Sequence, residues 1–223
     1  MNRPERTGRA APSRAQQVAR EKRQRAILFG SLGIVAIAII VAVALASRVP
    51  KTASDAPTFA RVEIGQQAPD FTIFATSGPF QLSKVTDRPT LLELFATWCP
   101  HCQRMTTVLD GLYDKYKDKA AFIAVSASEY GADQSPETQA DVTDFMNKFN
   151  VHYPIAFDPN LDVAKKYLQG GFPTIVLIGK NGKVLALNDG ELPSKNIAAA
   201  LEAAIAGQPV KPDFGVKQPP AGS

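Results

Sequence analysis

The chain has 223 residues, 25 Lys and Arg against 21 Asp and Glu, a net charge of +4 and two cysteines. The first 48 residues hold nine basic and two acidic groups, which leaves 16 against 19 and a charge of −3 for the rest; a domain of that sign is no polyanion binder, so nucleic acid is excluded as its partner. Two cysteines cannot staple a disulfide framework, so the fold must hold by its core, and the chain is long enough to bury one.

Residues 1–25 read as a disordered basic arm in which eight cationic side chains face only Glu5 and Glu21. Residues 26–47 contain nothing ionisable and are mostly Ile, Val, Leu and Ala. Such a run spans a hydrocarbon core of about 30 Å as a helix. The basic flank stays cytoplasmic beside anionic lipid, which sends everything from Arg48 onward across a cell membrane. Residues 26–47 are therefore expected to be a transmembrane signal anchor. A cleaved signal peptide is the alternative, because Ala44-Leu45-Ala46 offers a small-x-small site. Against it, the apolar run exceeds the roughly 7–15 residues of a signal h-region. Residues 48–61 have linker composition. Residues 208–223 carry Pro209, Pro212, Pro219 and Pro220 without apolar periodicity and read as a disordered tail.

One domain, residues 62–207, lies between them. Short strands are expected at 70–75 and 80–82 around a Ser77-Gly78 turn, and a buried strand at 90–95 broken only by Glu93. A helix follows over 100–117, with Pro100 at its first position and Met105, Val108, Leu109, Leu112 and Tyr116 along one face. A strand at 120–126, a helix over 135–149 capped by Ser135, a strand at 154–157 and a helix over 161–168 come next. Strands at 174–179 and 183–188 form a hairpin across Asn181-Gly182, and a closing helix over 194–206 starts at Ser194 as cap. Alternating strands and helices predict an α/β sandwich around a mixed sheet.

The two cysteines stand three apart in Thr97-Trp98-Cys99-Pro100-His101-Cys102, between a buried strand and a helix start. Thiolate is the reactive form of cysteine, and a helix N-terminus stabilises it through free backbone N–H groups. A second cysteine one turn later can close a disulfide with it. The pair reads as a dithiol/disulfide centre that trades electrons with other proteins and needs no further cofactor. Half of a zinc site has the same spacing, but a closed site takes four N/S ligands, and the chain's only histidines are His101 and the distant His152. A purely structural disulfide closing so short a loop would stabilise little.

The segment Leu91-Leu92-Glu93-Leu94-Phe95-Ala96-Thr97-Trp98-Cys99-Pro100-His101-Cys102 resembles the active-site strand and helix start of the thioredoxin superfamily. Ile64-Gly65-Gln66-Gln67-Ala68-Pro69-Asp70-Phe71, Phe157-Asp158-Pro159-Asn160 and Gly171-Phe172-Pro173-Thr174 are similar to the TlpA/ResA-like branch and its redoxin relatives. The resemblance covers about residues 62–207 and implies a thioredoxin-like sandwich with Cys99 and Cys102 as the redox pair. It further implies that Pro173 is a cis-proline facing the disulfide, with the Phe172 backbone pairing an extended substrate; a plain strand-initiating proline is the alternative. Trp98, Pro100, His101, Phe172 and Pro173 form the implied substrate surface, though Trp98 can also serve only to cover the motif. Glu93, six positions before Cys99, stands where thioredoxin-like proteins carry a buried acid. Burial would raise its pKa and let it relay the proton of Cys102. The alternative is an edge-facing Glu paired with a lysine.

Two signals on direction disagree. Pro100-His101 is the dipeptide of strongly oxidising DsbA-type proteins, and a protonated His101 stabilises the Cys99 thiolate, which predicts a potential above that of thioredoxin. Trp98 and the rest of the domain look like the reducing branch. The expected function is a membrane-anchored oxidoreductase exchanging disulfides with exported proteins, as a reductant of the cytochrome c maturation type or as a DsbA-like oxidase. A membrane electron donor or acceptor is the implied redox partner. A thiol peroxidase needs Pro and Thr or Ser where this chain has Leu92 and Ala96. A copper chaperone would use the soft thiolates, but no Met-rich or His-rich stretch accompanies them.

Overall fold

Strand β3, Thr90–Phe95, is buried at all six positions and anchors the fold. Along it successive side chains alternate between the sheet faces. Leu91 and Phe95 point into one core, with Met105, Leu109, Val142, Ile197 and Leu201. Leu92 and Leu94 point into the other, with Phe71, Val163 and Tyr167. Each fully buried Leu contributes about 1.5–3 kcal/mol by leaving water. By that alternation Glu93 belongs to the first face, the one the cysteines occupy.

The computed structural model describes residues 62–216, so the expected arm, anchor and linker and the last seven residues lie outside the described residues. Around β3 the chain adds β1 (Thr72–Ala75), β2 (Gly78–Gln81), β4 (Ala121–Ser126), β5 (Ile155–Phe157), β6 (Thr174–Ile178) and β7 (Val184–Asp189). They form one sheet in the order β2-β1-β5-β4-β3-β6-β7. β3 pairs parallel with β4 and antiparallel with β6, so the sheet is mixed. The helices are α1 (Pro100–Tyr116), α2 (Gln139–Phe149), α3 (Ala164–Tyr167) and α4 (Ser194–Ile205). This is the thioredoxin-like α/β sandwich. Among the described residues no helix is long and apolar enough to cross a membrane.

The β6–β7 hairpin turns at Gly182, whose φ of +74° lies in the left-handed region that favours glycine. Elsewhere the structure corrects the reading. α2 begins at Gln139, because Thr138 and Asp141 form a reciprocal capping box there. Ser135 instead bonds Asp133. α4 has Pro193 at its cap, with Ser194 as its first residue. α3 is a single turn, opened by the Asp158 carboxylate, which accepts from the N–H groups of Asp162, Val163 and Ala164. The tail expected to be disordered from 208 is packed as far as 216. Phe214 is buried in the core, Asn196 donates to its carbonyl, and Leu187 N–H donates to Pro212 O.

Candidate active site

Cys99 is the N-cap of α1 in extended conformation (φ −77°, ψ 117°), and Pro100 supplies the first helical turn. Proline fits because the N–H it lacks would have had no helical partner. Cys99 is 4 % exposed and Cys102 is fully buried, both as free thiols. The Cys99 sulfur lies 3.6 Å from the Phe172 carbonyl oxygen. The Phe172–Pro173 peptide bond is cis, as the resemblance implied. Pro173 O accepts from Gly190 N–H at 2.7 Å, which ties this loop to the β7–α4 connection. Trp98 is 44 % exposed, stands edge-on to Phe172 with centroids 6.1 Å apart, and donates Nε1–H to Ser128 Oγ at 2.9 Å.

Beneath the helix lies Glu93, 2 % exposed, with its Oε1 unpartnered. Burial alone pushes its pKa up to about 8. Among the described residues no lysine pairs with it, so the edge-facing alternative does not hold. The Cys102 thiol is pushed up as well, by burial first, then by the Glu93 charge and by its hydrogen bond with Cys99. Tyr153 joins this pocket, raised by burial and then by Glu93. The inner cysteine and the acid thus sit in one dry space where burial opposes ionisation of both and the acid's charge further opposes that of the thiol.

A second buried acid went unread in the sequence. Glu137 accepts from the Thr97 hydroxyl at 2.7 Å and the Thr97 N–H at 3.4 Å, and its other oxygen accepts from Ser126. Burial raises its pKa against those bonds. It locks the loop that carries Trp98 to the end of β4.

On the outer side the Glu191 carboxylate lies 2.5 Å from His101 Nδ1 and 2.9 Å from Arg104 Nε, with Arg104 Nη2 closer still. Arg104 Nη2 also lies 2.8 Å from His101 Nδ1. The expectation was that His101 would serve the Cys99 thiolate; the partners it has are Glu191 and Arg104. Arg104 follows His101 by three positions on one helix face, a readable spacing. Glu191 comes from a distant loop, and no local signal marks it. Among the described residues no group of three or more His, Cys, Asp or Glu is arranged to hold a metal ion.

A family model described as Redoxin matches residues 63–203. The chain belongs to the Redoxin family. Relatives of this Redoxin chain include the thiol-disulfide oxidoreductase ResA of Bacillus thuringiensis subsp. konkukian, 31% identical over 133 residues, covering 59% of this chain and 72% of that one. ResA of Bacillus anthracis is 29% identical over 144 residues, covering 64% and 79%. Among solved structures, a putative thiol:disulfide interchange protein DsbE from Chlorobium tepidum is similar at TM-score 0.57 and 27% identity, covering 65% of this chain and 99% of that one. Together with the paired cysteines at the helix start, these likenesses make the protein a thiol–disulfide oxidoreductase of the TlpA/ResA-like kind, acting on protein thiols and disulfides.

Proposed function

We propose that the protein is a membrane-anchored reductant of disulfides in exported proteins, of the type that serves cytochrome c maturation. The observation that carries this is the asymmetry of the pair: Cys99 stands at the helix N-terminus against the Phe172 carbonyl, and Cys102 is sealed beside an acid raised by burial. Cys99 thiolate attacks a substrate disulfide, and the far substrate sulfur leaves as thiolate. Cys102 then gives its proton to Glu93 in its ionised form and attacks the Cys99 sulfur, releasing the second substrate thiolate and leaving the Cys99–Cys102 disulfide. Two electrons pass to the substrate, and a membrane dithiol donor restores the pair. No cofactor beyond the redox disulfide is needed.

Trp98, Pro100, His101, Phe172 and Pro173 rim the approach to Cys99, with Phe172 offering its backbone to an extended peptide. The apolar run at 26–47 and the basic arm before it support the anchor, with the N-terminus cytoplasmic and the domain outside. At the slots a peroxidatic loop fills with Pro and a hydroxyl, Leu92 and Ala96 are apolar and buried.

The test is direction. The reduced full chain should release thiols from an oxidised Cys-x-x-Cys-His peptide faster than the oxidised chain closes the reduced peptide. The reverse ranking would make it an oxidase. Protease added to intact spheroplasts should remove the domain and spare the N-terminus; a soluble mature form beginning near Ser47 would defeat the anchor.

A further inference from the structure

The outer face of α1 carries a charge cluster that thiol–disulfide exchange at Cys99 and Cys102 does not by itself require. His101 and Arg104 both project from the first two turns of the helix that Cys99 caps. One carboxylate oxygen of Glu191, from the loop between β7 and α4, takes both of them. The Glu191 carboxylate holds the Arg104 proton more tightly, and the guanidinium stands on the helix whose N-cap is Cys99. The Glu191 carboxylate is in turn held below its usual range, by Arg104 first and His101 second.

Nδ1 of His101 is shared in opposite senses. Arg104 can only donate to it, whereas Glu191 can only accept from it, so one nitrogen cannot satisfy both at once. With Glu191 present, a carboxylate is available to neutralise whatever positive charge the pair carries. Without it, Arg104 would stand uncompensated on the helix whose N-cap holds the thiolate.

We propose that Glu191 is a positioning residue that sets the redox poise of the pair, clasping His101 and Arg104 so that their charge is withheld from the Cys99 thiolate. It rests on the reductant reading above and explains how an oxidase-like Pro-His dipeptide can serve in a reductant. A bare cation beside the outer sulfur stabilises the thiolate and hence the dithiol state, which makes a disulfide more oxidising. The other charged or titratable groups facing the pair are Glu93 and Tyr153 from the sheet side and Glu137 behind Thr97. None of them touches the cluster, so its effect should be separable.

The experiment equilibrates the full detergent-solubilised chain with glutathione at neutral pH and reads the dithiol fraction. Glu191→Gln should shift the equilibrium constant toward the dithiol by about fivefold, roughly 20 mV at about 30 mV per decade. Arg104→Met should shift it the opposite way, and the double variant should return to within about twofold of the parent. All three side chains are solvent-facing, so the single shifts should shrink at about 1 M salt, where the screening length falls to roughly 3 Å. A purely structural role for Glu191 would show no such salt dependence and no cancellation with Arg104. If Glu191→Gln equilibrates within twofold of the parent, or the double variant keeps the whole Glu191→Gln shift, the inference is wrong. A parent potential near that of DsbA would instead sink the reductant reading, and the Glu191→Gln shift would still be judged separately.

Discussion

Beneath the Cys99–Cys102 turn, Glu93 sits in a dry interior with one oxygen unpartnered, whereas above it Glu191 shares one oxygen between the His101 and Arg104 side chains in solvent. Both are carboxylates near the same sulfurs, and their pKa values move in opposite directions: Glu93 up by burial, Glu191 down by Arg104 and then His101. Desolvation is a large, unscreened effect. Exposed pairing is small and falls with salt. On the proposed mechanism the inner side of the helix controls proton transfer and stability, and the outer side trims the equilibrium.

The largest effect should come from the cysteines themselves. Cys102→Ser should accumulate mixed disulfides through Cys99, detected by non-reducing gels, while Cys99→Ser should abolish exchange and trap nothing. Equal trapping by both would erase the distinction between an outer attacker and an inner resolver.

Glu93 comes next. Glu93→Gln keeps the shape and removes the proton relay, so exchange at neutral pH should slow by about 100-fold, within the range of general acid–base effects. The same substitution should stabilise the reduced domain at high pH. A carboxyl raised by folding contributes stability below its unfolded value of 4.5, which is lost as pH rises toward the folded value of about 8. The parent should therefore lose up to about 1.4 kcal/mol per pH unit across that window relative to Glu93→Gln, in urea unfolding followed against pH. Parallel stability curves would place Glu93 in contact with water and remove the contrast between the two sides.

Glu137 should matter less. Glu137→Ala strands the Thr97 N–H and the Ser126 hydroxyl and should cost about 1–3 kcal/mol. It should also loosen the loop bearing Trp98, the chain's single tryptophan, so fluorescence anisotropy reports on that site alone. Unchanged anisotropy would mean that Ser128 suffices to hold the indole. Smallest of all is the shift expected from Glu191→Gln, which finds its place at the bottom of this series because its partners are solvated.

What the sequence discloses follows the reach of the forces involved. β3 is legible because six consecutive positions are buried, and α1 because Pro100 opens it and its apolar stripe repeats. Glu93 is legible as an acid where nothing else is polar. The start of α2 is misread because Ser135 and Thr138 carry the same capping chemistry, and only the partner Asp141 decides between them. Glu137 is missed because its partners, Thr97 and Ser126, come from two other elements. Glu191 meets Arg104 across 87 positions of chain, so no local periodicity can reveal it. The packed stretch to residue 216 is hidden by its prolines: Val210, Phe214 and Val216 are its only large apolar residues, and the core they pack against includes residues of the distant α4.

The most direct test of the reductant account is the reduction potential of the Cys99–Cys102 pair in the full chain, measured against glutathione at neutral pH. With Glu191 proposed to withhold the charge of Arg104 from the sulfur, the value should fall nearer the roughly −270 mV of thioredoxin than the roughly −120 mV of DsbA. A value close to that of DsbA would contradict the account and make the protein a donor of disulfides.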